Sequence, residues 1–142
     1  MVYKGNSFLE LNWLAKSDKD ILLPIVLFID NYHAAGEFFS PDPGNEEIIY
    51  DAYPLDRGII IVNTNEAISA TLAHEWRHAW QHHRGIEYDG VGLNKYASLS
   101  YEQQIIKYFK SSRCEMDALL FEVKKSPDEY NLEWHEWVIK NV

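Results

Sequence analysis

Apolar positions along the chain fall into blocks of two different periods, and each change of period marks an element. Phe8, Leu9, Leu11, Trp13 and Leu14 suggest a short amphipathic helix, which the polar run Lys16 to Asp20 closes as a solvated turn. From Asp20 to Tyr32 the apolar character is nearly unbroken. Such a run fits a buried helix with Pro24 in its first turn or a buried strand, and the helix is taken as the expectation. Glu37 to Phe39 and Ile48 to Tyr53 read as short strands around the breaker-rich Pro41-Asp42-Pro43-Gly44-Asn45. Arg57-Gly58 then introduces Ile59-Ile60-Ile61-Val62, the strongest strand signal in the chain.

The period next changes to that of a helix. Asn63 suits an N-cap, with Glu66 three positions on as in a capping box, and Gly85 can end the helix after about Arg84. Ile68, Leu72, Trp76, Ala79, Trp80 and His83 form its apolar stripe, while Thr71, His74, His78 and His82 lie roughly opposite. Gly85 to Gly92 reads as loop. A second helical pattern from Leu99 to Lys125 puts Tyr101, Ile105, Phe109, Ser112, Met116, Leu119 and Val123 on one face. Ser126-Pro127-Asp128-Glu129 starts a last helix, with Ser126 as cap and Pro127 at the first helical position, whose Trp134 and Trp137 should pack on the rest. No repeat or linker divides the chain, so residues 1–142 are expected to form one domain.

Composition narrows the function classes. With 46% hydrophobic and 14% aromatic residues the chain is globular rather than disordered. A net charge of -9 argues against nucleic-acid binding, which relies on clustered Lys and Arg. Cys114, the single cysteine, cannot form an internal disulfide, which fits a cytoplasmic setting. Met1 to Glu10 lacks the features of a secretory signal. Ile21 to Ile29 is far shorter than the ~20 apolar residues of a membrane span.

The chemistry concentrates in His74-Glu75-Trp76-Arg77-His78, an H-E-x-x-H pattern in the middle of the expected helix and directly after a strand. Residues four apart on a helix are about 6 Å apart along the axis and about 40° around it, so both imidazoles can meet one zinc ion. Glu75, one position round from His74, stands where a general base could reach a metal-bound water. Catalytic zinc normally takes three protein ligands and keeps one position open. Glu115, in Arg113-Cys114-Glu115-Met116-Asp117-Ala118, is the candidate third ligand. Asp117 lies about 200° round the same helix and is expected to pair with Arg113 instead.

The remaining histidines and Cys114 have plainer readings. His82 would lie about 12 Å along the axis from His74, too far for the same ion, and fits an outer or solvent-facing position. His83 reads as core edge, His33 as a core residue and Cys114 as the filler of a small buried space. His135-Glu136 repeats the start of the motif, but Ile139 replaces the second histidine, so that copy is a decoy.

With H-E-x-x-H on one helix and Glu115-Met116-Asp117-Ala118 matching an E-x-x-A pattern on a later one, the chain resembles the gluzincin zinc metallopeptidases. It looks most like the minimal gluzincins and ImmA/IrrE-like peptidases, over about Ile59 to Glu122. The resemblance implies an α+β, zincin-like fold, in which a small mixed or antiparallel sheet packs on the active-site helix and further helices follow. It also implies His74, His78 and Glu115 as ligands to Zn2+, with Glu75 as general base. Some relatives carry Asp or Asn directly after the alanine to support a zinc-binding histidine; Leu119 stands there in this chain, leaving Asp117 as a candidate for that support.

The expected activity is zinc-dependent hydrolysis of peptide bonds in a protein or peptide substrate, with no nucleic-acid or membrane partner. An oxyanion-stabilising donor could come from Tyr96, Tyr101, Tyr108 or His83. Ile59 to Val62 would serve either as an exposed edge that pairs with substrate or as a central core strand. The alternative function is a zinc-binding regulatory or protein-interaction module of the same fold without turnover.

Overall fold

Two runs of β-branched and aliphatic residues, Ile25–Ile29 and Ile59–Asn63, pair in parallel at the centre of a sheet, with Ile25 opposite Ile59 and Ile29 opposite Asn63. In the computed structural model, which describes residues 2–15, 21–42, 57–125 and 132–142, four strands make one mixed sheet. They are β1 (Val2–Lys4), β2 (Ile25–Ile29), β3 (Gly36–Phe39) and β4 (Ile59–Asn63), in the order β1-β2-β4-β3. The outer strands β1 and β3 run antiparallel to their neighbours. Helices α1 (Ser7–Ala15), α2 (Ile68–His83), α3 (Tyr101–Ser111), α4 (Arg113–Lys125) and α5 (Leu132–Asn141) complete an α+β chain, with a short 3-10 turn at Leu93–Tyr96. Among the described residues no helix is long and apolar enough to cross a membrane.

The expected helix over Asp20 to Tyr32 is a strand instead. A helix at a surface needs one apolar stripe, whereas inner parallel strands are buried on both faces and read as continuous apolar runs. Val26, Ile60 and Val62 pack with Leu72, Ala73 and Trp76 of α2 and with Leu11 and Leu14 of α1. Ile25, Leu27, Ile29, Ile59 and Ile61 form a second buried cluster. Pro24 precedes β2, and the ladder starts at once with the Ile25 amide donating to the Gly58 carbonyl at 3.0 Å. β4 is an inner strand, so of its two readings the edge is excluded; among the described residues the edge beside α2 is β3.

Asn63 does not cap α2. Its side-chain amide donates to the carbonyls of Tyr32 and Ala34 at 3.0 and 3.2 Å, and its Oδ1 accepts from the Asn65 amide at 3.0 Å. These bonds tie the end of β4 to the segment before β3, and α2 starts only at Ile68, flanked by Ala67 without a side-chain cap. The other end behaves as expected: Gly85, at φ 75, takes the left-handed conformation that stops the helix. The stripe is wider than read from the sequence. α2 lies between the sheet and α4, so Thr71, Glu75 and Gln81 are buried as well, while Ile68 and His83 at its ends are exposed.

Leu99 to Lys125 is not one helix but two, broken at Ser112 in an extended conformation of φ -127 and ψ 115. Ser112 is the N-cap of α4, its Oγ accepting from the Glu115 amide at 3.0 Å. Asp89 braces this corner by accepting from the Ser112 hydroxyl at 2.8 Å and the Arg113 and Cys114 amides at 3.0 and 3.1 Å. Those bonds, working against the cost of its desolvation, lower the Asp89 carboxyl to about 2. α5 docks as expected, with Trp134 and Trp137 packed against Ile105, Phe109, Leu119 and Val138. The turn at Lys16 to Asp20, the strand at Ile48 to Tyr53, the Pro43-Gly44-Asn45 part of the breaker loop and the Ser126 cap lie outside the described residues.

Gly36 permits the close approach of β3 to α2. A Cβ there would stand 2.5 Å from Thr71 Cγ2 and 3.2 Å from Glu75 Cγ, and 2.9 Å from the backbone oxygen of Ile61. Lacking that atom, the edge strand runs directly alongside the H-E-x-x-H helix.

Candidate metal centre

His74 and His78 project from one side of α2 with ring centroids 4.9 Å apart and planes at 74°. What they face is decided by the packing of α2 on α4. The Arg77 guanidinium lies 3.8 Å from the Trp80 ring centroid and 4.9 Å from that of Phe121, and its Nε donates to Asp117 Oδ2 at 2.7 Å. Beside it the Gln81 amide donates to the Cys114 carbonyl at 3.0 Å and to Asp117 Oδ2 at 2.9 Å. With the helices clasped in this way, Glu115, 3% exposed in the first turn of α4, meets the histidine pair. Its Oε1 lies 3.4 Å from His74 Nε2 and also pairs with His78 Nε2. One ligand atom from each of His74, His78 and Glu115 falls within 4.8 Å of the others, a group able to hold a metal ion.

The outer ring nitrogens are held separately. His74 Nδ1 is 2.8 Å from Glu122 Oε1, whose other oxygen is 2.7 Å from Nε2 of the buried His135. His78 Nδ1 is 3.0 Å from Gln81 Oε1. Gln81 spends its NH2 on two oxygens, so its carbonyl faces His78 and Nδ1 carries the proton. A carboxylate imposes the same polarity on His74. Both Nε2 atoms therefore turn inward, as a metal requires.

Glu75 is 7% exposed and borders a cavity of about 480 Å³ together with His78, Tyr88, Tyr108, Glu115 and the edge strand. A second cavity of about 600 Å³ shares Gly36, Glu75, Tyr108 and Glu115 with it and extends past His74. The Tyr108 hydroxyl donates to Glu115 Oε2. Tyr88 sits edge-on to His78, centroids 5.6 Å apart at 87°.

Burial dominates the electrostatics and is answered by pairing. It pushes the Glu75 carboxyl up from 4.5, with the nearby histidines opposing. Burial alone would depress both histidines, but bonds to Glu115 and, for His74, to Glu122 reverse this and raise them above 6.5. Glu115 and Glu122 are desolvated too, yet the same bonds hold both carboxyls below 4.5. Burial, with the charge of Glu115, raises the Tyr88 phenol to about 12. The signs fix a pH window. Stability from the raised histidines is complete below 6.5 and lost as pH climbs through their folded values; that from the lowered carboxyls is complete above 4.5 and lost as pH falls through theirs. The metal-free protein is therefore expected to melt highest between about pH 4.5 and 6.5, as far as this cluster governs it. Since a metal takes neutral imidazole, loading should move that optimum upward. Melting scans across pH would contradict this if metal-free stability rose steadily to pH 8.

Other expectations fare differently. Asp117 pairs with Arg77 rather than Arg113, and reaches His78 only through Gln81. His135 is no decoy: it forms no second metal pair, but through Glu122 it belongs to the support of His74. His33 is not core, its side chain being 73% exposed and 2.6 Å from Glu37. His82 is exposed near Phe38, as read, whereas His83 is exposed rather than core edge. Cys114 fills a buried space as expected. Of the proposed oxyanion donors, Tyr108 borders the cluster, Tyr101 lines the second cavity and Tyr96 bonds Ser111 instead.

Gln81, Glu122, His135 and Tyr88 were not foreseen as parts of the site. Glu122 had a signal: seven residues after Glu115, it lies on the same face of α4. Gln81 had a weaker one, three residues after His78 on α2. In comparisons with known proteins, no family model, no curated protein and no solved structure matches the chain.

Proposed function

We propose that this chain is a zinc-dependent peptidase with a zincin-like domain of the gluzincin type over residues 1–142. The observation that carries the reading is the convergence of His74 Nε2, His78 Nε2 and Glu115 Oε1 beside a cavity into which the buried Glu75 faces. Two imidazoles and one carboxylate suit zinc and leave a position open, and both rings have the outer partners that catalytic zinc histidines need. Bound zinc would supply Lewis acidity to the scissile carbonyl and to water. Glu75 takes the proton of the attacking water and returns it to the leaving amine, a task for which a carboxyl raised by burial is suited. Tyr108 holds Glu115 in place through Oε2.

The substrate in this reading is an extended stretch of protein or peptide. Gly36, Glu37, Phe38 and Phe39 of β3 line the cavity, and among the described residues β3 is the sheet edge on that side, so strand addition runs along β3 rather than β4. The excess of acidic residues favours no nucleic-acid partner, and the lone buried thiol suits a reducing cytoplasm. A zinc-binding regulatory or interaction module without turnover would use the same three ligands, but it has no need of a buried carboxyl at position 75. Hydrolysis of fluorescein-labelled casein tests the reading. Activity should vanish with a zinc chelator and return with added zinc, and chelator-resistant cleavage would refute it.

A further inference from the structure

The metal cluster is bordered by two phenols with different commitments. Tyr108 has one proton, and it goes to Glu115 Oε2. Tyr88 lies on the loop that follows α2, outside any helix or strand, and its ring stands edge-on to His78. It lines the same cavity as Glu75, His78 and Glu115. The loop is shaped around this side chain: a Cβ at Gly90 would fall 2.0 Å from the Tyr88 hydroxyl oxygen and 2.2 Å from Cζ. Only glycine at position 90 lets the ring lie back across its own loop. Tyr88 is 55% exposed, so its placement is not explained by core packing.

We propose that Tyr88 is a catalytic residue, its hydroxyl donating a hydrogen bond to the oxyanion that forms as water adds to the scissile carbonyl, while Gly90 is the positioning residue that makes room for its ring. This rests on the peptidase reading. The step moves no proton off Tyr88: the donor keeps its O–H bond and directs it to a charged acceptor. The two tyrosines then have separable duties, Tyr108 orienting the carboxylate ligand and Tyr88 serving the transition state.

The test uses full-length protein loaded with zinc, with two readouts. On fluorescein-labelled casein, Tyr88→Phe should lower kcat by about 10²–10³-fold and leave KM within about two-fold. Titrated with a phosphinic dialanine peptide, whose tetrahedral phosphinate imitates the oxyanion, the variant should bind at least about ten-fold more weakly, with acetohydroxamate binding unchanged. Gly90→Ala should shift both readouts the same way by displacing the ring, and Tyr108→Phe should lower zinc affinity instead. Equal phosphinate affinity and equal kcat in wild type and Tyr88→Phe would overturn the proposal while leaving the peptidase reading intact; a loss confined to KM would overturn it as well. Wild-type protein that takes up no zinc removes the peptidase reading itself.

Discussion

Glu75→Gln is expected to keep its zinc and lose its activity, kcat on labelled casein falling by about 10²–10⁴-fold. Glutamine has the shape of glutamate but cannot take a proton from water, and the three residues proposed to hold the metal are untouched. A second consequence separates this from damage to the fold. Burial holds the Glu75 carboxyl above its usual value, so its ionised form is disfavoured in the folded protein. For a carboxyl raised in this way the contribution to stability is present below 4.5 and lost as pH rises through the folded value. At neutral pH the neutral amide should therefore leave the metal-free protein at least as stable as wild type, as expected where an active site holds a strained charge for function. Melting curves, zinc content and kcat of the same preparation check all three, and undiminished kcat would remove Glu75 from the mechanism.

Glu122→Ala should be the most damaging substitution outside the three candidate ligands. One carboxylate, nearly buried, holds both His74 Nδ1 and His135 Nε2, at 2.8 and 2.7 Å. Removing it leaves two ring nitrogens without their acceptor in a site where both histidines are largely shut off from water. Breaking a buried charged pair by deleting one partner costs about 3–5 kcal/mol, and loss of the outer partner of a zinc histidine weakens metal binding by about 10–100-fold. Urea denaturation of the metal-free variant measures the first effect, and competition with a chromogenic chelator the second. Glu122→Gln, which restores one acceptor oxygen, should recover part of both. If Glu122→Ala matched wild type in zinc affinity, the tie from α5 through Glu122 to His74 would be structural only.

Local signals in the chain reached the site further than the sheet. The pairing of His74 with His78 follows from helical geometry alone, and two imidazoles leave a catalytic zinc one ligand short, which points to Glu115; the structure brings the three together. The break at Ser112 was also legible, since Ser112 and Glu115 have capping-box spacing, but the apolar face continues across it and masked the cap. Asn63 misled for the opposite reason. Its residue type suits a cap, yet its side chain is committed to carbonyls about thirty residues earlier, which no local window contains. Likewise the run from Ile21 to Ile29 carries no period, and only pairing with β4 makes it a strand. His135 joins the site because α5 packs on α3 and α4, a contact invisible to spacing within its own helix.

The central claim is that His74, His78 and Glu115 together hold one zinc ion. Elemental analysis of protein purified without added metal, run side by side on wild type and on Glu115→Ala, tests it most directly. One zinc per chain in the wild type and essentially none in the variant is the predicted result. Wild type free of metal even after dialysis against zinc, or full occupancy in Glu115→Ala, would contradict it.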